Sequence, residues 1–553
     1  MDRVVIIGSG AAGLAAAIHL AEENVPCTLI SEMPSARAQS NMAEGGINAA
    51  LDTMGQGDEP ALHEAETYKA GRFLACREAV HRLTFMAPHI VRTLYQWGMA
   101  FNIQENQELA LRSFGGQSKK RTAFASASTG KQLMYTLATR ARAYEATGMI
   151  QRMVGYRFLK LLQQDNTVQG VIIFAKGTKQ LTYVPASAVI MASGGMNGLF
   201  GNATGSVLNS GHVTASLFCA GLPLANLEMI QYHPTTTKLY GKNMLITEAV
   251  RGEGGRLYVE QNGGKFYFME VKYPELGNLM PRDVVAREEW FWIKQGIQPY
   301  LDMRDIPQEV SIHKLAGVLE ACHDFLDLDP LKEPIPVSPG IHYFMGGIYV
   351  DVNHRTSLQK LYAAGEAACQ YHGANRLGAN SLLGAMVGGT VAAEAAMEDL
   401  SAKTSSYVPP QELLQVEYWL KNKKPGLNFP VFRKKLNQLL QSYLGMERNE
   451  ADLLQAYKAL EEMEKNFAKL YDTHSELDEM LAVPEVLILA KAFVKSALAR
   501  KESRGAHTRT DYPDEREEFR KTTVATYDSE GIRIQFQTIE GDPAEGTDHE
   551  NQH

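Results

Sequence analysis

The feature that most constrains this chain is its first twenty residues. The β-branched run from Arg3 to Ile7 reads as a strand buried on both faces, and GSGAAG follows it at once and opens an Ala/Leu-rich helix. Three glycines at this spacing have separate uses. Gly8 permits the tight turn, Gly10 lets a pyrophosphate approach the backbone, and Gly13 packs the helix on the strand. The helix N-terminus, with Ala11 and Ala12 in its first turn, offers N–H groups and a positive dipole end to phosphate charge. Glu32 lies nineteen residues past Gly13, at the end of a second strand over Cys27 to Ser31, where it can accept hydrogen bonds from ribose hydroxyls. This βαβ unit predicts a Rossmann-like α/β domain that binds a dinucleotide, and on this element alone both FAD and NAD fit.

The rest of the composition narrows the class. With 553 residues the chain is long enough for three or four structural units, and 45% apolar with 21% charged residues is ordinary globular composition. Lys plus Arg total 55 against 63 Asp plus Glu, so no basic excess exists to neutralise phosphates and no nucleic-acid partner is expected. The five cysteines, Cys27, Cys76, Cys219, Cys322 and Cys369, show no CxxC and no metal-ligand spacing, which argues against disulfides, zinc, an iron–sulfur cluster or any other metal centre. The N-terminal apolar stretch is interrupted by Gly, Ser and His and lacks a cleavage site, so the expectation is a soluble protein of a reduced, cytoplasmic compartment.

Further strands are expected at Ala188 to Ala192 and Leu361 to Ala364, each followed by glycine, so the sheet is assembled from distant segments. Prolines, aromatics and mixed charge replace the small-residue texture between Thr235 and Pro339. The predicted division is a discontinuous dinucleotide domain (1–235 and 340–405), an inserted α+β unit (236–339), a helical domain (410–515) and a C-terminal piece (516–553). In the helical domain Phe432, Leu436, Leu439, Leu440 and Tyr443 form one apolar stripe, and Leu453, Tyr457, Leu460 and Phe467 a second. A hairpin is expected over Thr522 to Phe536, turning at Ser529, Glu530 and Gly531, followed by a disordered acidic tail from Glu540.

Several clusters carry candidate chemistry. In RAQSNMAEGG the pair Gly45 and Gly46 would let the backbone lie close to a flat ring. QYHPTT and LITEAVRGEGG gather His233, Thr247, Glu248 and Arg251 into about twenty residues. Farther on come Arg282 in MPRDVVAREE, His342 in HYFMGG, and His372 with Arg376 in YHGANRLGANS. Two arginines and two histidines suit a small dianion, because a guanidinium holds a carboxylate by two parallel hydrogen bonds. Taken singly, Arg282 is better read as a partner of Asp283 or a nearby acid, and His342 and His372 as satisfied core histidines.

Taken in order, GSGAAG, AEGG, QYHPT, LITEAVRGEGG, PRDVVAR, HYFMGG, YAAGEA, HGANRLGANS and ARKESRGAH make the chain similar, from about Val4 to Pro513, to the flavoprotein subunit of fumarate reductase and succinate dehydrogenase. That family also contains L-aspartate oxidase. The resemblance implies FAD as the cofactor, and hydride exchange between it and fumarate or succinate. It implies that His233, Thr247, His342 and Arg376 bind the dicarboxylate, that Arg282 donates the proton, and that Glu248 and Arg251 resupply it. An arginine acid sits awkwardly with an ordinary side-chain pKa above about 12, so the residues themselves argue only for charge stabilisation and positioning. Gln39, Ser40, Gly45, Gly46, Gly195, Glu366, Ser381 and Leu382 fall at positions beside the flavin, and 236–339 corresponds to a mobile capping domain.

Two departures stand out. Gln39 occupies the place of the histidine that carries the flavin covalently in respiratory members, and no histidine lies between His19 and His63, so FAD is expected without a covalent link. Loss of that bond is associated in the family with a lower flavin potential, which favours fumarate reduction. The other is Ser210 in NSGH, at a flavin contact where many members carry Asp. RSFGG, Met345 and NRLGANS favour fumarate reductase or succinate dehydrogenase over L-aspartate oxidase, the alternative. With no cluster ligands of its own, the chain would need a separate iron–sulfur subunit, with or without a membrane anchor, as a peripheral assembly on the inner face of the cytoplasmic membrane. A non-enzymatic FAD scaffold would make the clamp residues coincidental, and a disulfide reductase would need a redox cysteine pair that is not there.

Overall fold

In a computed structural model, residues 3–239, 242–400, 428–467 and 477–539 are described. The organising element is a five-stranded parallel sheet, in the order Leu361–Ala363, Ala188–Met191, Val4–Ile7, Cys27–Ser31 and Ile150–Val154. The run VVII is buried at every position, as a strand covered on both faces requires. Four of the five strands follow from apolar runs. The fifth, IQRMV at the sheet edge, does not, because only Ile150 is buried and the exposed positions blur the pattern. It leads into a three-stranded antiparallel layer over Tyr156–Gln164, Thr167–Ala175 and Gln180–Pro185, which the sequence pattern also leaves unannounced.

Helices Ala11–Glu22 and Asn380–Glu398 cover one face of the sheet and cross at very close range. The small side chains of AAGLAAA and GAMVGGTVAAEAA make this possible. At the crossing, a Cβ added to Gly389 would lie 2.3 Å from the Ala12 carbonyl oxygen and 3.0 Å from Ala15 Cβ.

Residues 246–337 build a separate core around Val250, Leu257, Phe268, Trp292 and Leu301. Their antiparallel sheet runs Gly264–Phe266, Arg256–Gln261, Pro299–Asp302, Ile335–Pro336. This layer, called the cap below, joins the rest of the chain, the body, through a second sheet of Lys242–Leu245, Ile230–Leu239 and Ser338–Phe344. Helices Phe429–Tyr443 and Glu450–Phe467 follow the two apolar stripes, burying Phe432, Leu436, Leu440, Leu453 and Leu460, and a third helix, Leu477–Ala499, packs with them. They share one core with the body, since these residues pack in the same cluster as Val5, Ile7, Phe200 and Phe218. The hairpin Thr522–Asp528 with Gly531–Gln537 is not an appendage. It pairs through Thr522–Asp528 with Leu224–Ala225 and completes a five-stranded sheet with Gly347–Tyr349 and Ala368–Cys369. The expected tail from Glu540 onward lies outside the described residues, as do 401–427.

Among the described residues no helix is long and apolar enough to cross a membrane, and no group of three or more His, Cys, Asp or Glu side chains is placed to hold a metal ion. All five cysteines are free.

The helix crossing gives a direct test. Gly389→Val forces the two helices apart and is expected to cost about 1–3 kcal/mol, read as a lower urea midpoint, because its Cβ would run into the backbone of Ala12. An unchanged midpoint would show that the crossing tolerates a side chain.

Candidate active site

A cavity of about 520 Å³ runs from the C-terminal ends of the parallel strands to the junction of body and cap. Open parallel sheets place ligands at this edge. Gly8, Gly10, Ala11, Ala12, Glu32, Gln39, Ser40, Gly45, Gly46, Glu366, Ser381 and Leu382 all line it. Gly13 and Gly195 do not. Gly13 acts as packing alone, since a Cβ there would meet the Gly8 carbonyl oxygen at 1.9 Å, and Gly8 itself takes φ +112° with no room for a Cβ beside Ala192. Gly195 faces Glu366, whose Oε1 would lie 2.5 Å from an added Cβ, and its neighbour Gly194 lines the cavity instead. The closeness at Gly45 is to the chain's own Phe114 ring, which would lie 2.9 Å from an added Cβ, rather than only to a ligand.

The cavity suits a dinucleotide. The first N–H of helix Ala11–Glu22 donates to Ser40 Oγ at 3.1 Å, which ties the Gln39–Met42 turn to the phosphate-binding end. Glu32 stands at the end of its strand, with Arg157 Nε and His212 Nε2 each 3.6 Å and Lys176 Nζ 3.9 Å from its carboxylate. Burial, then Arg157, drives the His212 pKa well below its ordinary value, so this ring is neutral. Ser193 Oγ is buried, lines the cavity and has no hydrogen-bond partner among the described residues, as a hydroxyl left for a ligand would be. Gln39 Oε1 accepts from the Ser206 N–H at 2.5 Å, and Ser210 Oγ lies 3.0 Å from His212 Nδ1. The serine in NSGH thus does not line the cavity itself and meets His212, which does.

At the other end the cavity meets a cluster of buried charge. Strand Ile230–Leu239 brings in His233, strand Ser338–Phe344 brings in His342, and their rings sit 5.0 Å apart. Arg282 opens helix Arg282–Lys294, and its Nε and Nη2 each lie 2.7 Å from Glu248 Oε2. Glu248 Oε1 accepts from the Gly115 N–H at 2.9 Å and lies 3.1 Å from Arg251 Nη2. Arg251 Nη1 donates to the Asn278 carbonyl at 2.6 Å; Arg251 stands behind Glu248 and does not line the cavity. Of the partners expected for Arg282 taken singly, the nearby acid is the one it meets, Glu248, and not Asp283. Asp283 is taken instead by Arg72 at 3.0 Å, Asn375 at 3.0 Å and Arg287 at 3.2 Å.

Electrostatics at this end favour a bound anion. Burial pushes the Glu248 carboxyl up, but Arg282 and Arg251 together outweigh it and hold the group below its ordinary value, so it stays ionised. Arg376 is buried against the face of Tyr343, 4.4 Å from the ring centroid, and no carboxylate among the described residues lies within ion-pair distance of it. Its Nε has no partner, and burial, then repulsion from Arg282, lowers it to about 9. A buried guanidinium left unpaired beside a cavity is costly unless an anion completes it. Burial and then Arg282 also drive His233 and His342 well below their ordinary values, leaving neutral rings that can donate or accept. Thr247 completes the lining. His372 is not part of it. That ring packs edge-on to Tyr343 at 5.4 Å, with Nδ1 unpartnered, so the second histidine beside His342 is His233.

Four contributors carry no signal in the sequence. Gln231, Tyr343 and the Gly115 N–H lie within the motifs themselves, but a glutamine, a tyrosine and a backbone amide bear no charge to single them out; Ser193 stands beside a Gly pair with nothing of its own to mark it.

Glu366 supplies a pH test. Its carboxyl accepts the Phe344 N–H at 3.1 Å, yet burial pushes it from 4.5 up to about 7. A folded value above the unfolded one means the native state binds the extra proton, so the contribution to stability is present below about 4.5 and is lost as pH rises through about 7. The FAD-free chain should therefore unfold more easily at about pH 8 than at about pH 5, and Glu366→Gln should flatten that slope. Equal slopes in both proteins would refute the assignment.

Comparisons with known proteins agree with this geometry. Residues 3–382 match the family described as an FAD binding domain, and residues 433–548 the family described as the fumarate reductase flavoprotein C-terminus. The chain is 36% identical over 570 residues to the succinate dehydrogenase flavoprotein subunit of Bacillus subtilis, covering 98% of this chain and 96% of the relative. It is 34% identical over 572 residues to the fumarate reductase flavoprotein subunit of Mycobacterium tuberculosis, covering 97% and 96%. An E. coli quinol fumarate reductase variant superposes with a TM-score of 0.90 at 29% identity, covering 98% of this chain and 97% of that one. The chain belongs to the succinate dehydrogenase and fumarate reductase flavoprotein subunit family and is an FAD-dependent oxidoreductase.

Proposed function

We propose that this chain interconverts fumarate and succinate, biased toward fumarate reduction, with FAD held without a covalent link. The observation that carries the reading is the pair of buried arginines facing one cavity. Arg376 has no carboxylate partner among the described residues, while Arg282 is bonded to Glu248 and through it to Arg251. FAD, when bound, supplies hydride exchange with a carbon of the substrate. Gly8, Gly10, Ala11, Ala12, Glu32 and Ser40 hold its dinucleotide portion; Gln39, Gly45, Gly46, Glu366, Ser381 and Leu382 border its ring and ribityl chain, and Gly195 supports Glu366 from behind.

Arg376, His233, His342 and Thr247 bind the two carboxylates of the dianion and orient it. Arg282 presents an N–H to the carbon that takes the proton, and Glu248 accepts from Arg282 and passes on the proton arriving through Arg251. Buried in a dry site, this chain of groups works without solvent reorganisation. The segment 236–339, made of the cap and the strands that join it to the body, closes over the site, which excludes water and brings Arg282 to the substrate. The absence of a histidine from 20 to 62 supports non-covalent FAD and, with it, the reductive bias. Electrons enter through a separate iron–sulfur subunit, in a cytoplasmic assembly held at the inner face of the membrane by partner subunits.

Two measurements test this. The reduced protein should be reoxidised by fumarate, and the oxidised protein reduced slowly by succinate and not by L-aspartate, with Arg282→Ala losing about 10³-fold or more of the fumarate rate. Reduction by L-aspartate, or an active Arg282→Ala, would overturn the reaction. Acid precipitation should leave the pellet colourless and all flavin in the supernatant; a yellow, fluorescent pellet would show a covalent link.

A further inference from the structure

Gln231 belongs to neither the carboxylate clamp nor the proton path, yet it lies fully buried between them. Its Oε1 accepts from Arg282 Nη1 at 3.3 Å. Its Nε2 donates to Asn375 Oδ1 and to the Arg376 carbonyl, both at 2.8 Å. Asn375 Nδ2 then donates to Asp283 Oδ1 at 3.0 Å, and Asp283 follows Arg282 in the first turn of its helix. The four side chains close a ring that passes from the cap to the body and back. Its charged ends set its polarity: the guanidinium must meet Gln231 oxygen, which turns Gln231 nitrogen to Asn375 oxygen and Asn375 nitrogen to the Asp283 carboxylate.

We infer that Gln231 and Asn375 are positioning residues that align Arg282 with Arg376 when the cap is seated, an inference that rests on the fumarate–succinate reading. Glu248 holds Nε and Nη2 of Arg282 against Arg251 and Gly115, but none of these contacts refers Arg282 to the residue that grips the other end of the substrate. The Gln231 bridge does, since one amide touches both the Arg282 guanidinium and the Arg376 backbone. Neutral amides also suit the place. A carboxylate at 231 would pair with Arg282 and compete with the dianion for it, whereas an amide orients Arg282 without cancelling its charge. Misplacing a catalytic group by a fraction of its bond length to substrate is enough to lose most of its effect.

The test uses FAD-loaded protein and steady-state fumarate reduction with a reduced dye as donor. Gln231→Leu should lower kcat by about tenfold to a hundredfold with KM within about threefold of wild type, and Asn375→Ala should lower kcat by about tenfold. Because both break one ring, the double variant should match Gln231→Leu alone rather than the product of the two losses. Asn375→Asp adds a pH readout that a merely structural role would not move. Protonated, the introduced carboxyl donates to Asp283 and keeps the ring; ionised, it repels Asp283, so kcat should fall as pH rises through its titration while wild type shows no such limb. This near-isosteric variant decides the matter should Gln231→Leu fail to retain FAD. Multiplying losses, a loss carried by KM, or a wild-type pH profile in Asn375→Asp would each overturn the inference while the reaction stands. A wild-type protein that does not reduce fumarate would remove the reaction, and the inference with it.

Discussion

One buried carboxylate holds the working end of this protein together. The Glu248 side chain has no exposure to solvent, and it is tolerable there because Arg282 donates to one oxygen, the Gly115 N–H donates to the other, and Arg251 stands at ion-pair distance. An ion pair taken out of water recovers its desolvation cost only with such complete hydrogen bonding. That demand ties separate pieces of chain to one point: a loop of the body at Gly115, the start of the cap at Glu248 and Arg251, and the N-terminus of the helix that begins at Arg282. Moving Arg282 away from Glu248 would leave the carboxylate buried without its pair of guanidinium donors.

The same accounting explains the asymmetry of the cavity. Where Glu248 sits, two guanidinium groups meet a carboxylate of the chain itself; at Arg376, among the described residues, no carboxylate lies within ion-pair distance and the face of Tyr343 accompanies the guanidinium. Among the described residues, Arg376 is thus the buried guanidinium lining the cavity that is left without a carboxylate. At the opposite end the constraint is steric rather than electrostatic. Gly8, Gly13 and Gly389 let two helices and a strand end approach to backbone contact, which opens space for a cofactor where side chains would otherwise fill it.

Much of this is legible in the residues. The strand, turn and helix at Val4–Glu22 can be read because period, glycine spacing and the acid at Glu32 all agree locally. His233, Thr247, Glu248, Arg282, His342 and Arg376 stand out because charge and imidazole in Gly-rich surroundings are chemically conspicuous, and the family resemblance puts them in order. What escapes notice is neutral or distant. Gln231 is an ordinary amide until Arg282 lies beside it, the edge strand Ile150–Val154 is too polar to announce itself, and His372 looks as good a ligand as His233.

By itself the sequence determined the local folding units and the chemical character of the site, because hydrophobic period, glycine placement and side-chain charge are properties of neighbouring residues. Only the tertiary structure decided which charges meet. Asp283 adjoins Arg282 in sequence, yet helical geometry sends it to Arg72, Asn375 and Arg287, while Glu248, thirty-four residues away, receives the guanidinium. Pairing depends on where the elements pack, and packing is settled by contacts far apart along the chain.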